Sequence, residues 1–149
     1  LRIGKDLLAM AIQSERAGFV YVAMAGYNSK SLYLLFPNDL DKDNRIEAGQ
    51  QLLLPRPGWH VSAAGPEGKD TVLVMVTDAP RNLASLAATK AGPFVTSLND
   101  AQGRARLGAL MTTSEMLGSA GCSTPLARGS NGLCSDAFGA SILSVEEIK

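Results

Sequence analysis

A mainly β fold, an antiparallel sandwich of the Ig-like or Greek-key type with a short helical insertion before its last strand, is predicted by three features of the chain. Short runs rich in β-branched and aromatic residues recur through the first half. Clusters of glycine, proline, asparagine and aspartate separate them. The run Thr71 to Asp78, TVLVMVTD, is apolar almost throughout, as expected of a strand covered on both faces. Six or seven short strands with turns between them point to a sandwich or barrel.

Asp6 to Ser14, DLLAMAIQS, alternates like a strand with one buried face. Glu15 to Gly18 reads as a turn and Phe19 to Ala25, FVYVAMA, as the returning strand, so the pair is expected to form a hairpin. A third strand, SKSLYLLFP, follows the turn around Gly26 to Asn28 and stops at Pro37, which has no amide hydrogen to give a ladder. Arg45 to Pro55, RIEAGQQLLLP, holds a short strand, a bend at Gly49 and a second strand ended by Pro55. WHVSAAG then leads into GPEGKD, Gly65 to Asp70, read as a hairpin turn before the central strand TVLVMVTD.

Beyond Pro80 the composition shifts to alanine, serine and leucine. Arg81 to Thr89 reads as a short helix stopped by Ala91 to Pro93. Ser97 to Leu117 is a second helical candidate, with Leu107, Leu110, Met111 and Leu117 on one face set against the sheet. Gly103 and Gly108 weaken it by up to about 1 kcal/mol each relative to alanine. AFGASILSVEEI is the closing strand.

The 149 residues are expected to form a single domain, 1–149, with no internal repeat and no linker long enough to divide it. Fourteen basic and 14 acidic side chains cancel, which argues against a grip on nucleic acid. The longest apolar runs fall far short of the roughly 20 residues needed to cross a bilayer, so no membrane insertion by this segment is expected. The chain opens on Leu1 rather than Met and is read as a mature form or a piece of a longer protein. Cys122 and Cys134 flank a segment poor in apolar groups, and a disulfide closing it would stabilise the fold by about 3 kcal/mol. Such bonds persist in exported proteins, which places the domain in the periplasm or elsewhere outside the cytoplasm. Two free thiols, or a metal or redox pair, are the other readings, the last without a CxxC spacing or a nearby histidine to support it.

Asp39, Asp41 and Asp43 match positions one, three and five of an EF-hand loop, with Ile46 at the apolar position eight. The match then fails, because Asn44 stands where glycine is wanted and Gln50 where the bidentate glutamate is wanted. A solvated turn is the main reading and a Ca2+ site on these three aspartates the alternative; no other cofactor is expected. His60, the one histidine, has no visible nucleophile or acid to work with and reads as a half-buried strand residue, so no catalytic residues are assigned. The serines lie in no G-x-S-x-G elbow, and GPEGKD lacks the spacing of a phosphate-binding loop. Phe19, Tyr21, Tyr33, Phe36 and Trp59 are read as core or cross-strand packing, with a binding surface as the functional alternative.

Several of these motifs recur in one order. Gly18, Phe19 and Tyr21 open a strand; Leu35, Phe36, Pro37 and Asn38 form a box; Asn44, Ile46 and Gly49 precede Pro55; and Gly65, Pro66 and Gly68 form a Gly-Pro-x-Gly turn. In that order the chain resembles the bacterial domain-of-unknown-function family 4384 over about residues 1 to 85, leaving residues 86–149 as an extension. The resemblance implies a β-sandwich accessory module on bacterial signalling or envelope proteins, such as serine/threonine kinases, without established catalysis. Its expected partner is an envelope or signalling protein. It also implies that the segment between the box and the glycine bend is a variable turn.

Overall fold

The computed structural model describes residues 1–27, 31–81, 89–98, 100 and 138–149. Among the described residues there are nine strands: β1 Met10–Gln13, β2 Gly18–Ala25, β3 Ser31–Phe36, β4 Arg45–Ile46, β5 Gln51–Leu54, β6 Gly68–Thr77, β7 Thr89–Ala91, β8 Phe94–Leu98 and β9 Phe138–Glu147. The large sheet runs β7-β8-β3-β2-β6-β9, with β4 added beside β2, and a two-stranded sheet of β1 and β5 packs over it. Every strand pair is antiparallel. The fold is therefore mainly β, with two layers of very unequal size. Among the described residues there is no helix, and none long and apolar enough to cross a membrane.

The centre of the large sheet is the β2–β6 pair, registered from Phe19 opposite Thr77 to Ala25 opposite Thr71. Both strands are apolar on alternate faces, which is why their sequences look continuous. Val20, Val22, Val72 and Val74 face the small sheet and meet Ile12, Leu52 and Leu54 from it. Tyr21, Leu73 and Met75 face the other way and cluster with Leu34. Burying each of these large side chains contributes about 1.5–3 kcal/mol, so this double-sided strand pair supplies much of the cohesion.

Strand β3 departs from simple alternation. Ala23 pairs with Leu34 and Val22 with Phe36, leaving Leu35 as an extra residue in a bulge. The bulge turns both Leu35 and Phe36 toward the small sheet, where both are buried. After Phe36 the chain leaves the sheet and returns as β4, which pairs with the other end of the same β2 edge. Between them Asn44 substitutes for a strand residue: its carbonyl accepts the Val20 amide at 2.8 Å and its side-chain amide donates to the Val20 carbonyl at 3.0 Å.

Three expectations need correction. Strands β1 and β2 are not a hairpin; β1 pairs with β5, Ile12 opposite Leu52, and the chain crosses between layers at 14–17. That places Ile12 against Val20 across the core instead of beside it, a burial that sheet pairing alone would not give. WHVSAAG is not a strand, so GPEGKD is a turn into β6 rather than a hairpin turn. The ends of the predicted helical insertion are strands: Thr89–Ala91 and Phe94–Leu98 form a hairpin around Gly92, with Thr89 opposite Thr96. Residues 82–88, 99 and 101–117 of the two predicted helices, and Cys122 with Cys134, lie outside the described residues.

The two ends of the chain meet. The Leu1 amine donates to the Glu146 carbonyl at 2.7 Å, and Ile3 and Ile148 exchange bonds with the opposite run at 2.8 Å. This continues the sheet past β9 by a parallel bridge from Arg2 to Ile148.

The β2–β6 pairing requires Gly18. A Cβ there would lie 2.5 Å from the Thr77 carbonyl oxygen, a backbone atom with nowhere to go. Gly18→Ala is expected to destabilise the domain by about 1–3 kcal/mol, read as a lower urea midpoint at unchanged slope. Gly139→Ala, where a Cβ meets nothing within 4 Å, is expected to leave the midpoint in place.

Candidate functional site

The acidic loop 37–44 is built around Asn38 and Asp41. Asn38 is buried, donates to the Leu35 carbonyl at 2.9 Å and accepts the Leu40 and Asp41 amides at 2.9 and 3.0 Å, the local bonding that makes asparagine a turn residue. Asp41 points inward. Its carboxylate accepts Arg56 Nε at 2.8 Å, the same guanidinium's Nη2 on the other oxygen, and Trp59 Nε1 at 3.0 Å. Arg56 also donates to the Asp43 carbonyl and lies over the Phe36 ring, 5.4 Å from its centroid. Burial acts to raise the Asp41 carboxyl, but the hydrogen bonds from Arg56 and Trp59 and the Arg56 charge outweigh it, holding it below the usual carboxylate range.

The three aspartates proposed for calcium are thus engaged separately. Asp39 is paired with Lys90 of β7, whose hydrogen bond is the main cause of its lowered pKa. Asp41 is held by Arg56 and Trp59, and Asp43 accepts the Arg45 amide at 3.4 Å. Among the described residues no group of three His, Cys, Asp or Glu side chains is placed to hold a metal ion.

Trp59 carries the loop's anchor into the core. It stacks on Phe36 at 6.3 Å between centroids and meets Phe94 edge-on at 5.9 Å. The segment after Trp59 crosses the end of the large sheet and is tied on both sides. Leu8 donates to Val61 and Gly4 to the Ala63 carbonyl, Ala63 donates to Asp6, and the Gly65 amide donates to Glu147 Oε2 at 2.5 Å.

Beneath this segment lies an open cleft of about 350 Å³. That is within the roughly 300–1,000 Å³ typical of ligand sites. Its floor is the inner face of the large sheet: Met24 of β2, Tyr33 and the bulged Leu35 of β3, Asp70 of β6 and Glu147 of β9. Its roof is His60 to Pro66, and Tyr27 and Phe94 close the sides. Asp70 and Glu147 are both 5% exposed. Gly68 faces Glu147 and Asp70 faces Val145 in the ladder, so the two acids are diagonal neighbours on one face. Each is steadied by one backbone amide: Tyr27 donates to Asp70 Oδ1 at 2.8 Å, and Gly65 to Glu147.

Tyr27 depends on Gly68. A Cβ at Gly68 would lie 2.3 Å from the Tyr27 ring, and the glycine's φ of 153° is one that L side chains rarely adopt. The ring, half exposed, rests where a side chain would otherwise be.

Of the residues singled out in the sequence, Tyr33 and His60 line this cleft, while Phe36 and Trp59 support it from the core. His60 is exposed at the cleft and outside any strand, which corrects its reading as a half-buried strand residue. Phe19 and Tyr21 lie on the opposite face of the sheet, Tyr21 accepting the Arg81 amide at 2.6 Å. Tyr27, Asp70, Phe94 and Glu147 were missed. For Asp70 a signal existed, since it precedes Val72 and Val74 in the period-2 register of a buried face.

If Asp41 anchors the loop, Asp41→Ala leaves Arg56 and the Trp59 indole without their partner and is expected to cost about 2–3 kcal/mol. Asp39→Ala, at an exposed pair, is expected to leave the melting temperature unchanged. Because the folded-state pKa of Asp41 is lowered, its contribution is fully present above the ordinary carboxylate value near 4 and disappears as pH falls through the folded value. Urea midpoints of the two variants at neutral pH, and of wild type and Asp41→Ala down an acid series, check this: the wild-type advantage should shrink only in the acid range.

No curated protein and no solved structure matches the chain. The model of one family does, over residues 1–80, from the start of the chain through the end of β6. With the Gly18 strand opening, the Asn38 box and the Gly68 turn all inside that match, the chain belongs to the family described as Domain of unknown function (DUF4384).

Proposed function

We propose that the domain is a non-catalytic sensing or interaction module of a bacterial envelope or signalling protein, working outside the cytoplasm as part of a larger protein such as a serine/threonine kinase. The observation that carries a binding role is the cleft beside β6: aromatic and aliphatic walls around a few fixed polar groups, the usual make-up of a ligand site. His60, Ser62, Asp70 and Glu147 line it, but the two acids are engaged with backbone amides, an arrangement that suits holding a group in place. The extracytoplasmic placement rests on reading Cys122 and Cys134 as a disulfide.

The test is a crosslinked pull-down from envelope and cytosolic fractions, comparing the wild type with Ala64→Trp, which fills the cleft from its exposed roof without removing core packing. The expected result is a specific envelope partner or ligand retained by the wild type and lost by the filled variant, with no turnover of any retained molecule. Equal capture by both proteins, or capture only from cytosol, would count against the reading.

A further inference from the structure

We infer that the cleft selects an organic cation, an alkylammonium group on a short apolar stem. This rests on the cleft being a binding site at all. Asp70 and Glu147 are almost fully buried, yet no cationic side chain among the described residues pairs with either. Each accepts one backbone amide and lines the cleft, and one amide bond leaves most of a carboxylate's acceptor capacity unused. Burying carboxylates without a positive partner is costly, and two on one face compound the cost. Among the described lining residues there is no lysine or arginine.

The rest of the wall fits the same ligand. Tyr27, Tyr33 and Phe94 line it with aromatic rings, whose quadrupoles attract cations. Met24, Leu35 and Val61 supply apolar surface for a stem. An anionic ligand would face two carboxylates, and a neutral one would leave them unpaired. The ammonium could come from a free diamine or from a lysine side chain of a protein partner, since both present the same group.

Titration calorimetry of the intact domain with cadaverine and with Nα-acetyl-lysine amide separates those sources, with n-pentanol and hexanoate as neutral and anionic counterparts. At least one amine is expected to bind, weakening as salt is raised, while n-pentanol and hexanoate do not. Preference for cadaverine assigns a free diamine, and preference for the lysine amide a protein side chain. Asp70→Asn and Glu147→Gln should each weaken binding by about tenfold or more. Tyr27→Ala, at a half-exposed ring whose loss leaves the core intact, should weaken it too and guards against misfolding of the acid variants. Equal binding of n-pentanol, tighter binding of hexanoate, unchanged affinity in all three variants, or no binding of either amine would overturn the inference. If the amines fail while Ala64→Trp still abolishes partner capture, the cation assignment falls and the binding-module reading stands. If capture is also insensitive to Ala64→Trp, both fall.

Discussion

One carboxylate holds the two irregular parts of this domain together. Asp41, from the loop after β3, takes the Arg56 guanidinium and the Trp59 indole, so a polar group at the edge of the core fixes the segment that enters the cleft roof. The arrangement is satisfied on all sides. Arg56 spends its other contacts on the Asp43 carbonyl and the Phe36 ring, and Trp59 fills the space between Phe36 and Phe94. A partly buried, well hydrogen-bonded ion pair contributes specificity of placement more dependably than net stability. Here the placement is that of the chain from Arg56 to Pro66, which has no strand partner of its own in the large sheet.

The strands set the geometry that this anchor completes. Since β2 and β6 are covered on both faces, their ends stay in register, and Met24 and Asp70 are presented as diagonal neighbours at one end of the inner face. The β3 bulge then delivers Leu35 to the cleft and Phe36 to Trp59, two tasks that strict alternation would have set on opposite faces. The family match ends at residue 80, whereas Phe94 and Glu147 come from beyond it. The cleft is therefore composite: its roof and most of its floor come from residues within the match, with one aromatic wall and one acid supplied by the strands that follow.

The core strands could be read from the sequence because their signal is local. Apolar alternation and proline stops located β2, β3, β5, β6 and β9 closely, and the Asn38 box was recognisable as a turn because asparagine bonds its own neighbouring backbone. Pairing was not local. Nothing in residues 6–25 says that β1 crosses to another layer, because the turn 14–17 is compatible with either course. The β7–β8 hairpin was hidden by the alanines and leucines around it, which favour a helical reading, although Phe94 and Val95 are good strand residues. The cleft was hidden most deeply. Asp70 and Glu147 are 77 positions apart and become neighbours only through the β6–β9 register, and Tyr27 is placed by a glycine 41 positions away. Of the three aspartates that stand out in the sequence, Asp41 is the one the fold uses to hold itself together.

The most direct test of this account is native-state amide hydrogen exchange on the wild type and Asp41→Ala. Leu8, Ala63 and Gly65, whose amides bond across the cleft roof, are expected to lose protection selectively in the variant. Val72 to Met75 in β6 should slow or quicken only in step with global stability. If the roof amides and the β6 amides change together by the same factor, Asp41 stabilises the fold as a whole and the cleft roof does not depend on it.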